Sequence, residues 1–326
     1  MATILAGDIG GTKSHLGLYQ VERAEPRLLR DRTYVTRDYP GLEAVIADFL
    51  GGQVAVAAAC FGVPGPVIDG VSHATNVSWD IREHAIAATL GGAAVRLLND
   101  LEATAWGVRH LKETDLLELQ RGESRPDATI AVIAAGTGLG EGALVAAPSG
   151  WCAIASEGGH ADFAPIGNDQ IALYDFLARE FGHVSYERVL SGPGLHNIYR
   201  FLLARAPEPQ PAWLAARMAA EDPSAVISET ALAGTDARCT HALEMFAAIY
   251  GAEAANLALK FLAVGGVYIC GGIAPKILPF LQNGGLLRAF LDKGRMRTTL
   301  ERIPVRVSLN PNTALIGAAH LAASMS

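Results

Sequence analysis

Six side chains stand where the chain could do chemistry: Asp8, Asn99, Asp100, Glu157, His160 and Glu187. Asp8 follows an apolar strand, residues 4–7, and opens the stretch Asp8-Ile9-Gly10-Gly11-Thr12-Lys13 before a second apolar strand at 16–19. Two adjacent glycines let a backbone turn tightly and aim its N–H groups at an anion. A carboxylate left unpaired at a buried strand end costs several kcal/mol, roughly 3–5, so a cation or a hydrogen-bond network is expected beside Asp8. A nucleotide phosphate with its magnesium answers both requirements, although a Gly-Gly turn also joins ordinary strands.

The same design recurs. Residues 130–135 run into Gly136-Thr137-Gly138-Leu139-Gly140 and leave through an apolar strand at 143–145, and a further turn, Gly271-Gly272, closes the apolar run 267–270. Three glycine turns at the ends of buried strands suit a nucleotide gripped from several sides. None is the phosphate loop ending in Gly-Lys-Ser/Thr or the spaced triple glycine of dinucleotide folds. The duplicated hairpin resembles instead the ATPase architecture shared by actin, hexokinases and sugar kinases.

Asn99 and Asp100 end an apolar strand at 94–98 and precede a helix at 101–111. Either could cap that helix, with Glu102 supporting its first turn. Ligands also gather at the C-terminal ends of strands in open α/β sheets, so Asp100 could equally face a site. Glu157 and His160 lie in Ser156-Glu157-Gly158-Gly159-His160-Ala161-Asp162, where the glycines favour a loop over a helix. With Asp162, His183 and Glu187 nearby in the chain, a metal site comes into question, but no tight His-Glu-x-x-His pair or cysteine cluster supports zinc.

The elements that must position these groups read as an α/β protein. The 326 residues suffice for two cores. Strands are expected at 30–35 and 54–60, with helices at 41–50, 171–181, 194–203, 213–219, 242–261 and 314–323, and the tract 150–167 reads as loop. Half of the chain is hydrophobic, yet no apolar run reaches the roughly 18–20 residues of a membrane span. Asp8 falls where the core of a signal peptide would be. The four cysteines form no Cys-x-x-Cys pair, which fits reduced thiols. A net charge of −7 argues against an extended nucleic-acid surface.

Four motifs taken in order, Gly-Asp-Ile-Gly-Gly-Thr, Leu-Asn-Asp, Glu-Gly-Gly-His-Ala-Asp-Phe-Ala-Pro and Glu-Arg-Val-Leu-Ser-Gly-Pro-Gly, resemble the bacterial ATP-dependent glucokinases over nearly the whole chain. The resemblance implies a two-lobed actin-like (ribonuclease H-like) ATPase fold, with a small α/β domain of residues 1–109 plus 312–326, a large one of 110–311 and a cleft between them. It implies a cytoplasmic enzyme, usually a homodimer, that phosphorylates the 6-hydroxyl of glucose with ATP and Mg2+, with no nucleic-acid or membrane partner. Carried over by position, Asp100 would be the catalytic base, and Asn99, Asp100, Glu157, His160 and Glu187 would hold sugar hydroxyls. Asp8, Ile9, Gly10, Gly11, Thr12, Lys13, Gly136, Thr137, Gly138, Gly140, Gly271 and Gly272 would hold ATP, with Mg2+ bound through the nucleotide and Asp8. Lys13 stands where many members have Asn, and lysine there is common in the related repressor, ORF and kinase (ROK) family. That family usually carries a zinc-binding cysteine cluster after its histidine motif, whereas here no cysteine follows His160 until Cys239. The competing readings are a kinase for mannose, fructose or an N-acetylated hexosamine, a sugar-sensing regulator, and an actin-like assembly ATPase.

Overall fold

A computed structural model describes the chain except residues 1, 53, 74–78, 124 and 149. It divides into two compact units, the first made of Met1–Asp115, Gly142–Ala155 and Asn310–Ser326, the second of Leu116–Glu141 and Ser156–Leu309.

The first unit is built on five strands: β1 (Thr3–Ile9), β2 (Lys13–Glu22), β3 (Glu25–Val35), β4 (Ala58–Val63) and, beyond a small three-stranded sheet of β5 (Val67–Ile68), β6 (Val71–His73) and β7 (Asp80–Arg82), β8 (Ala94–Asn99). Their order is β3-β2-β1-β4-β8. β1 pairs antiparallel with β2 across the first glycine turn, and β1, β4 and β8 run parallel. Parallel pairing brings Asp8 level with Gly62 and Val63 level with Asn99, so the chemistry-bearing residues of this unit share one end of the sheet. One face is covered by α1 (Leu42–Leu50) and α2 (Glu83–Thr89), whose Val45, Ile46 and Ile86 pack with Leu5, Ile9 and Phe61.

The other face is covered by α3 (Asp100–Val108) and the C-terminal helix, Thr313–Ser324. Their close approach requires glycine: a Cβ on Gly107 would meet the Thr313 carbonyl, and one on Gly317 the Ala103 carbonyl. The expected strand at 54–60 begins only at Ala58, because 54–57 lie ahead of its pairing with β1. Helix α3 ends at Val108 rather than 111.

The second unit carries β9 (Leu116–Gln120), β10 (Ile130–Ala135) and the start of β11 (Leu139–Ala147), and the chain re-enters it at the end of β12 (Gly150–Ser156). The tract expected to be loop from residue 150 thus contains a strand, and the true loop begins at Glu157. Helices α4 (Gly167–Phe181), α5 (Gly192–Arg205), α6 (Ala212–Ala220), α7 (Pro223–Leu232) and α8 (Ala237–Phe261) follow, then β13 (Gly266–Cys270), α9 (Leu278–Gln282), α10 (Gly285–Leu291), α11 (Arg297–Leu300) and β14 (Val305–Ser308), before the C-terminal helix, α12. Within this unit the strand order is β10-β13-β14-β9, the first two pairs parallel and the last antiparallel. Helix α8 is buried along most of its length, and Tyr250 on it shares its one hydroxyl hydrogen between the carbonyls of Cys270 and Ile133 and accepts the Ala135 N–H. The ends of β10 and β13, where two glycine turns leave the sheet, are thereby tied to one phenol. Among the described residues no helix is long and apolar enough to cross a membrane.

Candidate active site

In the first unit the turn at Gly10–Lys13 is closed by the Gly10 N–H donating to the Lys13 carbonyl at 2.8 Å. Buried Thr36 braces it, donating its hydroxyl to the Gly10 carbonyl and its N–H to the Thr12 carbonyl. Thr12 and Lys13 are exposed at the tip. Burial pushes the Asp8 carboxyl above the usual carboxylate range, with His15 acting the other way. A cation beside Asp8 would restore its charged form, so the donor chemistry fits a magnesium ion brought with a nucleotide.

Asn99 caps α3: its Oδ1 accepts the Leu101 N–H at 2.8 Å, and the Asn99 N–H donates to Glu102 at 2.9 Å. Its Nδ2 donates to the Gly65 carbonyl at 3.2 Å. The capping reading of Asn99 is thus realised, and one amide hydrogen is left over, because the group has two. Asp100 opens the helix, and its Oδ1 accepts the Leu101 N–H at 2.9 Å.

In the second unit Glu157, His160 and Glu187 come together. His160 Nε2 lies 4.0 Å from Glu157 Oε2, and His160 Nδ1 lies 4.0 Å from Glu187 Oε1. Glu157 follows the end of β12 and His160 closes a single 3-10 turn, so the glycines between them allow a turn rather than an open loop. Residues 161–163 pair with 184–186 through the Phe163 N–H to Val184 and Tyr186 N–H to Ala161 bonds, which joins the His160 and Glu187 segments. Glu187 also reaches the second glycine turn, its Oε2 accepting the Leu139 N–H at 3.0 Å. Asp162 and His183, weighed as metal ligands, form an exposed pair at 2.8 Å. No group of three or more His, Cys, Asp or Glu is placed to hold a metal among the described residues.

The glycine turns of this unit also converge. The Gly136 N–H donates to the Gly138 carbonyl, the Gly192 N–H to the Gly136 carbonyl, and the Ile273 N–H to the Ala135 carbonyl. Gly271 is left-handed at φ 86°, and a Cβ there would strike the Ala135 backbone. Gly10, Gly136 and Gly138 do not adopt positive φ; a Cβ would crowd the Lys13 carbonyl at Gly10, whereas at Gly136 it would meet open space. A Cβ on Gly138 would come within 2.5 Å of Glu187 Oε2. Sequence reasoning did not assign Ser191–Gly194 to the site. Ser191 caps α5, accepting the Gly194 N–H and donating to the Glu187 carbonyl, which sets a helix N-terminus against the Gly136 turn. The Ser-Gly-Pro-Gly run, with proline at the first helical turn, was the available signal.

A glucokinase family model matches residues 5–325. The chain belongs to the glucokinase family. It is 40% identical to a glucokinase of Synechocystis over 98% of this chain and 97% of the relative. The solved glucokinase of an Antarctic psychrotroph superposes with a TM-score of 0.87 at 28% identity, covering 99% of both chains. A ROK-family glucokinase from Streptomyces griseus, solved with glucose and AMPPNP, superposes at 0.65 with 22% identity over 99% of this chain and 100% of that one. The fold is therefore the actin-like α/β fold expected from the sequence, and the protein is a sugar-phosphorylating enzyme of this family.

Proposed function

We propose that this glucokinase-family enzyme transfers the γ-phosphoryl group of ATP to the 6-hydroxyl of D-glucose, giving glucose 6-phosphate and ADP. The observation that carries the reading is the Glu157, His160, Glu187 group, an imidazole with a carboxylate 4.0 Å from each of its two nitrogens. A hexose offers many hydroxyls and little apolar surface, so it is recognised by acceptors and donors held in fixed places. An assembly ATPase has no use for such a group.

Phosphoryl transfer depends mainly on positioning and charge stabilisation, because the transition state is loose. Asp100 orients the 6-hydroxyl and accepts its proton late in the transfer, and Asn99 holds a neighbouring hydroxyl with its remaining amide hydrogen. Glu157, His160 and Glu187 hold the other hydroxyls. The turns Asp8–Lys13, Gly136–Gly140 and Gly271–Gly272 hold the nucleotide, with N–H groups and the Thr12 and Thr137 hydroxyls on phosphate oxygens. Asp8 would hold the magnesium ion brought with ATP, which would supply neutralisation of phosphate charge. The same family reading carries a cytoplasmic homodimer.

The test is a coupled assay of the purified protein across a hexose panel with ATP, ADP and polyphosphate as donors. Glucose with ATP is expected to give the highest kcat/KM. A higher value for mannose, fructose or an N-acetylated hexosamine would move the reading to that sugar, and a higher value for polyphosphate would replace ATP.

A further inference from the structure

Beneath the Glu157–His160 turn lies a pair of buried carboxyl groups that the chemistry above does not use. Glu141 on β11 and Glu253 on α8 are 1% and 0% exposed. Glu253 is the member supplied with donors: Asn256 Nδ2 donates to its Oε2 at 2.8 Å, and Lys260 Nζ stands 3.4 Å from its Oε1. Glu141 Oε1 has no N–H or O–H partner among the described residues. Two adjacent carboxyls in such a site cannot both ionise cheaply, so one of them holds a proton. Protonated, Glu141 can donate to Glu253 and satisfy the pair.

The second observation is what Glu141 supports. A Cβ built on Gly158 would strike Glu141 Oε2, so this carboxyl lies directly against the backbone of the turn. The Gly158 N–H is already committed to Ser156 Oγ at 2.9 Å and does not answer Glu141. Leu139, two residues before Glu141 on the same strand, abuts Gly159 with its carbonyl and holds Glu187 with its N–H. The start of β11 is thus the floor on which the proposed sugar contacts stand.

We propose that Glu141 and Glu253 are a carboxyl pair that positions the Glu157–His160 turn, so that loss of their shared proton weakens glucose binding. The inference rests on reading Glu157 and His160 as sugar contacts. Ionised together, the two groups repel, and Glu141 presses against Gly158, whose backbone has nothing to offer it. Burial, then the charge of Glu253, raises the Glu141 carboxyl to about 8, with Lys260 acting against them. The other titratable groups around the pair are Tyr250 and Tyr186, whose phenols are pushed up, and Lys293, which donates to Asn256 and is pushed down by burial. The transition therefore belongs on the alkaline side of neutrality.

The test compares the wild-type chain with Glu141→Gln, whose amide still donates to Glu253 but does not titrate. Glucose KM is measured at saturating Mg-ATP from about pH 6.5 to about pH 9, with thermal unfolding over the same range. Wild-type glucose KM is expected to rise about fivefold or more across the transition, with ATP KM unchanged, and Glu141→Gln to remain flat. Glu253→Gln, which removes the repelling charge, should move the rise to lower pH. A Glu141→Gln profile that tracks the wild type overturns the proposal even if the variant is less stable, because a merely structural role changes stability without flattening KM. If the unfolding profile shows Glu141 titrating but wild-type KM does not follow, the link to the turn is wrong. If glucose fails to saturate the wild type at every pH, the sugar reading fails and this role fails with it.

Discussion

His160 and Glu187 meet with Nδ1 4.0 Å from Oε1, while the second oxygen of Glu187 accepts the Leu139 N–H at 3.0 Å. One carboxylate thereby touches both the histidine of the proposed sugar group and the strand leaving a glycine turn assigned to phosphate. Binding of either substrate bears on the same side chain. Glu187→Gln keeps an acceptor for Leu139 but loses the charge facing His160. Glucose KM is expected to rise roughly 10- to 100-fold, as for loss of a hydrogen bond to a charged group. Steady-state kinetics at fixed ATP check this.

Gly138→Val should disturb both substrates, because the added Cβ displaces Glu187 Oε2. KM for glucose and for ATP should rise together in a folded variant. A rise in ATP KM alone would separate the two roles of this turn.

Asp100→Asn is expected to leave nucleotide binding intact and lower kcat by about 10²–10⁴, the range for loss of a positioned base. Asn99 still caps α3 in this variant, so the helix should persist. A kcat above roughly a tenth of wild type would remove Asp100 from the base role.

The rings of His110 and His320 stack with centroids 3.4 Å apart, joining the turn that follows α3 to the C-terminal helix. Burial, followed by the neighbouring His320 and Arg109, lowers His110 to about 4, and burial also lowers His320. The folded protein then binds fewer protons than the unfolded chain between about pH 6.5 and 4, so stability falls as pH falls through that window. His320→Phe should flatten the acid limb of a Tm-against-pH curve. An unchanged acid limb would show that the pair stays neutral for no energetic consequence.

Much of this was legible because apolar strands next to glycine turns leave a strong local signature. The turns at Gly10, Gly136 and Gly271 all close strand ends, and the C-terminal helix packs on α3. What escaped was set by tertiary contacts. β12 reads as loop because Gly150 and Trp151 open it with no clean alternation, and its residues are largely exposed. The role of Ser191–Gly194 depends on Gly192 bonding Gly136, a contact between distant parts of the chain. Glu141 follows a glycine turn as a lone charge in an apolar stretch, and its partner Glu253 sits unmarked on a long helix.

The most direct measurement is kcat/KM for glucose and its singly deoxygenated analogues, in the wild type and in His160→Ala. A site that bonds each hydroxyl rejects analogues lacking one by as much as about 10⁴–10⁵ when it is fully enclosed, and by less in a site open to water. Here His160 is 61% exposed, so losses well below that ceiling are expected, with the analogue lacking the hydroxyl bound by His160 losing little more in His160→Ala. Analogues used as well as glucose by the wild type, or penalties untouched by His160→Ala, would contradict the assignment of the Glu157, His160 and Glu187 group to sugar recognition.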